Sequence, residues 1–219
     1  MHPLYEILAD AAAGTFPPVD GHVEVLEPMP GDHHAVVEFT GHAVVVTDRD
    51  PREVVIRGAD GFGGATHPDL VRWLAGSDGW IGSHDVVLAA RGAGGGSLAE
   101  SARHDDHPRV LRSRRHRRDV SVYADETGLL MLGRGLVDRL ELSVERFDGA
   151  APGAGRRLIH EGLRLVGPGT IVWAQVAPGN AASLRAFLAC GFRPVGAEIL
   201  LRPGGGDIDA PPGRHRTGT

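Results

Sequence analysis

Between Glu141 and Phe192 the chain reads as strand, glycine loop, helix, strand, Asn-led helix and then Gly-Phe. This order constrains the fold more than any other feature. Leu140 to Phe147 alternates, with Leu142 and Val144 on one face and Glu141, Ser143 and Glu145 on the other. Gly149, Pro152, Gly153 and Gly155 break the alternation. From Arg156 the period lengthens, and Leu158, Ile159, Leu163 and Val166 fall at helical spacing.

A glycine loop feeding a helix start leaves backbone N–H groups without intrahelical partners. Those groups and the positive end of the helix dipole suit an anion. Gly153 and Gly155 let a phosphate group approach the chain, with Ala154 between them and Arg156 and Arg157 adding positive charge. An ordinary strand–helix connection is the other reading of these residues. The dinucleotide fingerprint fits badly, because Leu158 stands where its third glycine belongs. The P-loop is excluded, because the chain contains no lysine, and Schiff-base chemistry on lysine is excluded with it.

The second half is as ordered. Ile171 to Val176 is a β-branched and aromatic run, read as a buried strand that Ala177, Pro178 and Gly179 end. Asn180 is a favourable N-cap, and Leu184, Phe187 and Leu188 form an apolar stripe behind it. Gly191 sits where a helix C-terminal glycine belongs, and Val195 to Leu201 reads as the next strand.

At these residues the chain resembles the GNAT superfamily of acyl-CoA-dependent N-acyltransferases. That family's pyrophosphate loop, [R/Q]-x-x-G-x-[G/A], is matched by Ala150 to Gly155, followed by the expected helix. Its later motif, N-x-x-[A/S]-x-x-x-[Y/F]-x-x-x-G-F, is matched by Asn180, Ser183, Phe187, Gly191 and Phe192. The resemblance covers roughly Val120 to Pro203.

The resemblance implies an α/β fold with a mixed sheet, of the GNAT acyl-CoA acyltransferase type. It implies acetyl-CoA as cosubstrate and an amine as acceptor. Pantetheine would lie where the strands at 139–147 and 171–176 splay, pairing with backbone near Ser143, Val144 and Glu145. Gly153, Ala154, Gly155 and Arg156 would take the diphosphate. Asn180 and Ser183 would lie along the pantetheine, and Phe187 at the acyl–sulfur end. A general base, where the family has one, lies on the first of these strands, which points to Glu141 first and Asp138 second; a solvated or paired carboxylate is the plainer reading of each. Relatives also form homodimers through sheet edges.

Two departures stand out. Ala150 occupies the position of the usual Arg or Gln. Phe187 occupies that of the Tyr that protonates the leaving thiolate in many relatives. A positioned acid is worth about 10²–10⁴-fold, yet a thiol of pKa near about 8.5 also leaves as thiolate. Two functions are therefore carried forward: N-acetyl transfer to a small-molecule or protein amine, and acyl-CoA binding without transfer.

Composition removes several classes. The formal net charge is −5, which opposes bulk nucleic-acid or membrane association. The single cysteine, Cys190, allows no internal disulfide and suits a reducing cytoplasm. No long apolar run appears.

The rest of the chain divides by composition into an amino-terminal α+β region (1–95), an Arg-rich connector (97–119), the core (120–203) and a flexible tail (204–219). The first region reads as a helix over Pro3–Ala13, a strand over His22–Met29 and a hairpin from Ala35–Phe39 to His42–Thr47. Pro51–Arg57 is ambiguous, His67–Ala75 is a helix, and Val86–Ala90 is a strand. The region is either an added substrate-side or dimer-side module or a degenerate tandem copy of the same fold. Gly92 to Gly96 reads as a boundary or mobile connector. His104-Asp105-Asp106-His107 lacks a third metal ligand at motif spacing, so no metal is assigned. The arginines from Arg109 to Arg118 lack interleaved aromatics, which argues against nucleic acid; an exposed helix face or an anion grip fits them better. Val137 to Phe147 is expected to be one long strand.

Overall fold

The computed structural model describes residues 1–204, so the expected tail lies, but for Gly204, outside the described residues. In order the elements are α1 (Pro3–Ala13), β1 (Val23–Leu26), β2 (His34–Phe39), β3 (His42–Val46), α2 (Pro51–Ile56), α3 (Pro68–Ala75) and β4 (Trp80–Arg91). There follow α4 (Pro108–His116), β5 (Arg118–Asp125), β6 (Gly128–Arg134), β7 (Leu140–Arg146), α5 (Ala154–Leu165), β8 (Ile171–Val176), α6 (Ala181–Ala189) and β9 (Arg193–Arg202). Strands pair both parallel and antiparallel, so the class is α/β with mixed pairing. Among the described residues no helix is long and apolar enough to cross a membrane.

Helix starts follow one local rule. Pro at the first helical position has its φ preset and lacks only an N–H that would be orphaned anyway. α1, α2, α3 and α4 all begin this way. The residue before each proline supplies the cap: Nδ1 of His2, His67 and His107 accepts the N–H two residues on, and Asp50 does so through Oδ1 at 2.8 Å. Asp50 and Pro51 thus decide the ambiguous Pro51–Arg57 stretch in favour of helix.

The described residues form two compact units, 1–87 with 195–204, and Leu88–Pro194. In the first, strands lie in the order β1-β3-β2-β9-β4. β1 runs parallel to β3, while β2 is antiparallel to both β3 and β9. Val36, Val45 and Leu201 bury one face of this sheet against Val54 of α2 and Leu70 and Leu74 of α3. Each such side chain contributes about 1.5–3 kcal/mol through its burial. Trp73 packs on this core and lies under two guanidiniums, Arg49 at 5.2 Å and Arg57 at 4.3 Å. The division differs from the one composition suggests, because β9 pairs with β2 (Val36 opposite Ile199) and its Ile199 and Leu201 sit in that core.

In the second unit the order is β4-β8-β7-β6-β5, with β4 contributing Leu88–Arg91. β5, β6 and β7 form an antiparallel meander. Val110 of α4 packs on Val122, Leu129 and Met131. On the opposite face Leu142 packs against Gly162 of α5, where an added Cβ would meet Leu142 Cδ1 at 2.6 Å.

Three expectations are corrected here. The glycine run is not a loose connector. Gly92, Gly94 and Gly96 donate N–H groups to the carbonyls of Thr170, Val166 and Arg164, and Ala93 to that of Leu163. A Cβ at Gly96 would meet the Arg164–Leu165 backbone at 2.7 Å, so the glycine there serves close approach. The strand expected from Val137 begins at Leu140, because Leu136–Asp138 is a 3₁₀ turn with Val137 and Asp138 at φ 48° and 65°. β4 begins at Trp80, six residues before the expected Val86.

Candidate functional site

β7 and β8 run parallel yet share a single register pair, Glu141 with Trp173. β7 and β6, by contrast, stay in register from Arg134–Leu140 through to Gly128–Arg146. Beyond the Glu141–Trp173 pair lies a cleft of about 840 Å³, lined by Val144, Glu145 and Arg146 of β7, by Gly153, Gly155, Arg156 and Ile159, and by residues along α6. From Asn180 and α6 the lining residues include Asn180, Ser183, Arg185 and Phe187. That volume lies within the range of small-molecule sites, roughly 300–1,000 Å³.

The loop side of the cleft presents an uncapped helix start. Gly153 stands at φ 89° as the N-cap of α5, and no side chain caps this helix start. The Ala154 N–H turns back to the Ala151 carbonyl at 3.1 Å, and the first helical bond is Arg157 N–H to Gly153 O at 3.1 Å. The N–H groups of Gly155 and Arg156 therefore have no intrahelical acceptor. A Cβ at Gly155 would meet only Arg146 Cδ, at 3.8 Å, which is an ordinary contact. Packing does not demand glycine there, so the bare backbone leaves room for something from outside the chain. The charged lining residues are Arg146, Arg156 and Arg185 with Glu145, which leaves the cleft net positive.

The α6 side is held by its cap. Asn180 Oδ1 accepts the Ser183 N–H at 3.1 Å. The Phe187 ring is 4 % exposed and stands edge-on to Phe192, centroids 4.9 Å apart. Cys190 Sγ donates to the Arg156 carbonyl at 3.5 Å, and burial pushes its thiol above the ordinary range.

Of the residues expected at a cofactor site, the structure brings Val144, Glu145, Gly153, Gly155, Arg156, Asn180, Ser183 and Phe187 together in this cleft. Ala154 is buried in the first turn of α5. Ser143 is buried beside the cleft, its hydroxyl accepting from Arg117 Nη1 at 2.9 Å and lying 3.3 Å from Ser113 Oγ. Arg146 and Arg185 were not anticipated. Their positions, one at the strand end before the glycine loop and one two residues after Ser183, were the available signal.

The two candidate bases lie elsewhere. Glu141 is 3 % exposed and gripped by two arginines: Oε2 accepts from Arg117 Nε at 2.6 Å, and Oε1 from Arg139 Nη2 at 2.9 Å. Burial alone would raise its pKa; Arg117 and Arg139 outweigh this and hold the carboxyl below its ordinary range. Such a carboxylate is a weak proton acceptor. Asp138 lies in the turn before β7, more than half exposed, 3.3 Å from Arg118. The His-Asp-Asp-His stretch has structural roles: His107 caps α4, Asp105 pairs with Arg114 at 2.7 Å, and His104 lies against Phe147.

No protein-family model matches the chain, and no curated protein matches it. Among solved structures, a GCN5-related N-acetyltransferase from Kribbella flavida is similar at 15% identity and a TM-score of 0.39, over 64% of this chain. The chain spans 65% of that protein's length. A likeness of that degree does not assign a family.

Proposed function

We propose that the Leu88–Pro194 unit binds acetyl-CoA in the cleft beyond the Glu141–Trp173 pair and transfers the acetyl group to an amine. The observation that carries this reading is the single register pair between β7 and β8, with a glycine-lined helix start at the open end. A gap between strands exposes backbone groups that a pantetheine amide can pair with, as an added strand would. Val144 and Glu145 supply that edge. Gly153, Gly155 and Arg156 hold the diphosphate, aided by Arg146 and Arg185. Asn180 keeps α6 in place beside the pantetheine.

The bound thioester supplies an activated acyl carbon with a thiolate leaving group. The chain's contribution is to hold and shield it. A backbone N–H near Glu145 donates to the developing oxyanion. Phe187 closes the cleft with an apolar face and donates no proton, so the thiol departs as thiolate. Glu141, held ionised, fixes the two arginines rather than receiving the amine's proton, which passes to water. Asp138, in the turn outside the cleft, is assigned no step.

A second reading keeps the cleft and omits transfer. Phe187 at the acid position and the doubly paired Glu141 favour it. Release of free thiol from acetyl-CoA across an amine panel separates the two. Transfer predicts thiol release that depends on amine. Binding in calorimetry with no thiol release on any amine leaves the binder alone standing.

A further inference from the structure

The Arg117 side chain joins β7 to β8 where their backbones stop pairing. Arg117 follows α4, and its N–H bonds to the Ser113 carbonyl at 2.9 Å, which fixes its backbone on the helix end. Its guanidinium is spread over both strands. Nε donates to Glu141 Oε2 at 2.6 Å and Nη1 to Ser143 Oγ at 2.9 Å, both on β7. Nη2 donates to Gln175 Oε1 of β8 at 3.1 Å. Alternation puts Glu141 and Ser143 on one face of β7. Trp173 and Gln175 are likewise two apart on β8, so Gln175 is the next same-face residue after the register pair. The side chain is 12% exposed, so these bonds are little weakened by water.

The far oxygen of Glu141 is held by Arg139, whose guanidinium lies 5.6 Å from the Trp173 ring centroid. Arg139 thus touches both members of the register pair, and Arg117 touches its β7 member and the next same-face residue of β8.

We infer that Arg117 is a positioning residue: a strut whose rigid fork sets how far β7 and β8 part, and so how the acyl-pantetheine end of the ligand is seated. The inference rests on the reading of the cleft as an acyl-CoA groove. A planar fork spreads its donors in fixed directions toward acceptors on two strands; the three donors of a lysine ammonium radiate from one atom and impose no such spacing. The strut acts on the wedge and not on the diphosphate loop, which α5 carries independently.

The test compares two ligands by calorimetry: acetyl-CoA, which fills the wedge, and 3′-phospho-ADP, which reaches only the loop end. Gln175→Leu removes the β8 acceptor and leaves the Arg117–Glu141 pair intact. It is expected to weaken acetyl-CoA about tenfold, the loss of one charge-assisted bond, while 3′-phospho-ADP stays within about twofold. Gln175→Glu restores an acceptor but sets a second carboxylate beside Glu141, and is expected to recover part of the acetyl-CoA affinity. Arg117→Lys is expected to follow Gln175→Leu. If Arg117→Lys fails to fold, the Gln175 pair decides alone. Wild-type binding of both ligands with acetyl-CoA affinity unchanged in Gln175→Leu overturns the strut and spares the groove. Equal loss of both ligands overturns the strut as well. Absence of binding to wild type removes groove and strut together.

Discussion

Glu141 closes directly over Gly135, so that a Cβ built on Gly135 would collide with its carboxylate. That carboxylate is already committed to Arg117 and Arg139. Gly135→Ala must therefore displace a buried ion pair or its own turn. We expect it to lower unfolding free energy by about 1–3 kcal/mol, read as a shifted urea midpoint.

The pH dependence of stability follows from the same carboxylate. Its pKa in the folded chain is held below the ordinary value near 4.5. A carboxyl whose folded pKa is depressed stabilises the fold above its unfolded pKa, and the contribution is lost as pH falls through the folded pKa. Urea midpoints should fall as pH drops below about 4.5, with a smaller fall in Glu141→Gln. At pH 7 Glu141→Gln should itself cost about 3–5 kcal/mol, because it takes a buried carboxylate away from two guanidiniums at once, Arg117 and Arg139.

The glycine strap predicts a contrast between neighbours. Gly96 lies against the α5 backbone, whereas a Cβ at Gly95 would meet nothing within 4 Å, though φ there is +79°. Gly96→Ala should destabilise by about 1–3 kcal/mol through steric collision. Gly95→Ala should cost about 1–2 kcal/mol, from its left-handed backbone alone. Hydrogen exchange should find the Gly92, Gly94 and Gly96 amides protected.

Phe187 offers a gain-of-function test. The ring lines the cleft and stands edge-on to Phe192, at the position where tyrosine would supply a proton donor. If transfer occurs, Phe187→Tyr should raise the rate of thiol release about tenfold or more, with acetyl-CoA affinity little changed. Phe187→Ala should instead cost about 3–5 kcal/mol of stability.

Much of the candidate site is a local property, and local properties can be read from sequence. Gly153 and Gly155 at a period change, and Asn180 at a strand end, place a glycine loop before an uncapped helix start and a capped helix after it without tertiary information. α1 could be read for the same reason, since Pro3 and Gly14 punctuate it. Failures come where long-range packing decides. Nothing local distinguishes a flexible glycine run from one pressed against α5. Val137 is a poor candidate for a left-handed φ, and the alternation around it suggests strand, so the turn that removes Asp138 from β7 was hidden. The grip on Glu141 depends on Arg117 from α4's end, which Gln175 of β8 holds in turn. An arginine-rich stretch does not say which guanidinium turns inward.

The central claim is that the bare helix start at Gly155 seats the diphosphate of an acyl-CoA. Calorimetric titration of acetyl-CoA into wild type and Gly155→Glu tests it most directly, because the protein itself has room for a side chain at that position. The account predicts saturable binding to wild type and an affinity at least about tenfold weaker in a variant with an unchanged melting temperature. Equal affinity in the two proteins, or no binding to wild type, would contradict it.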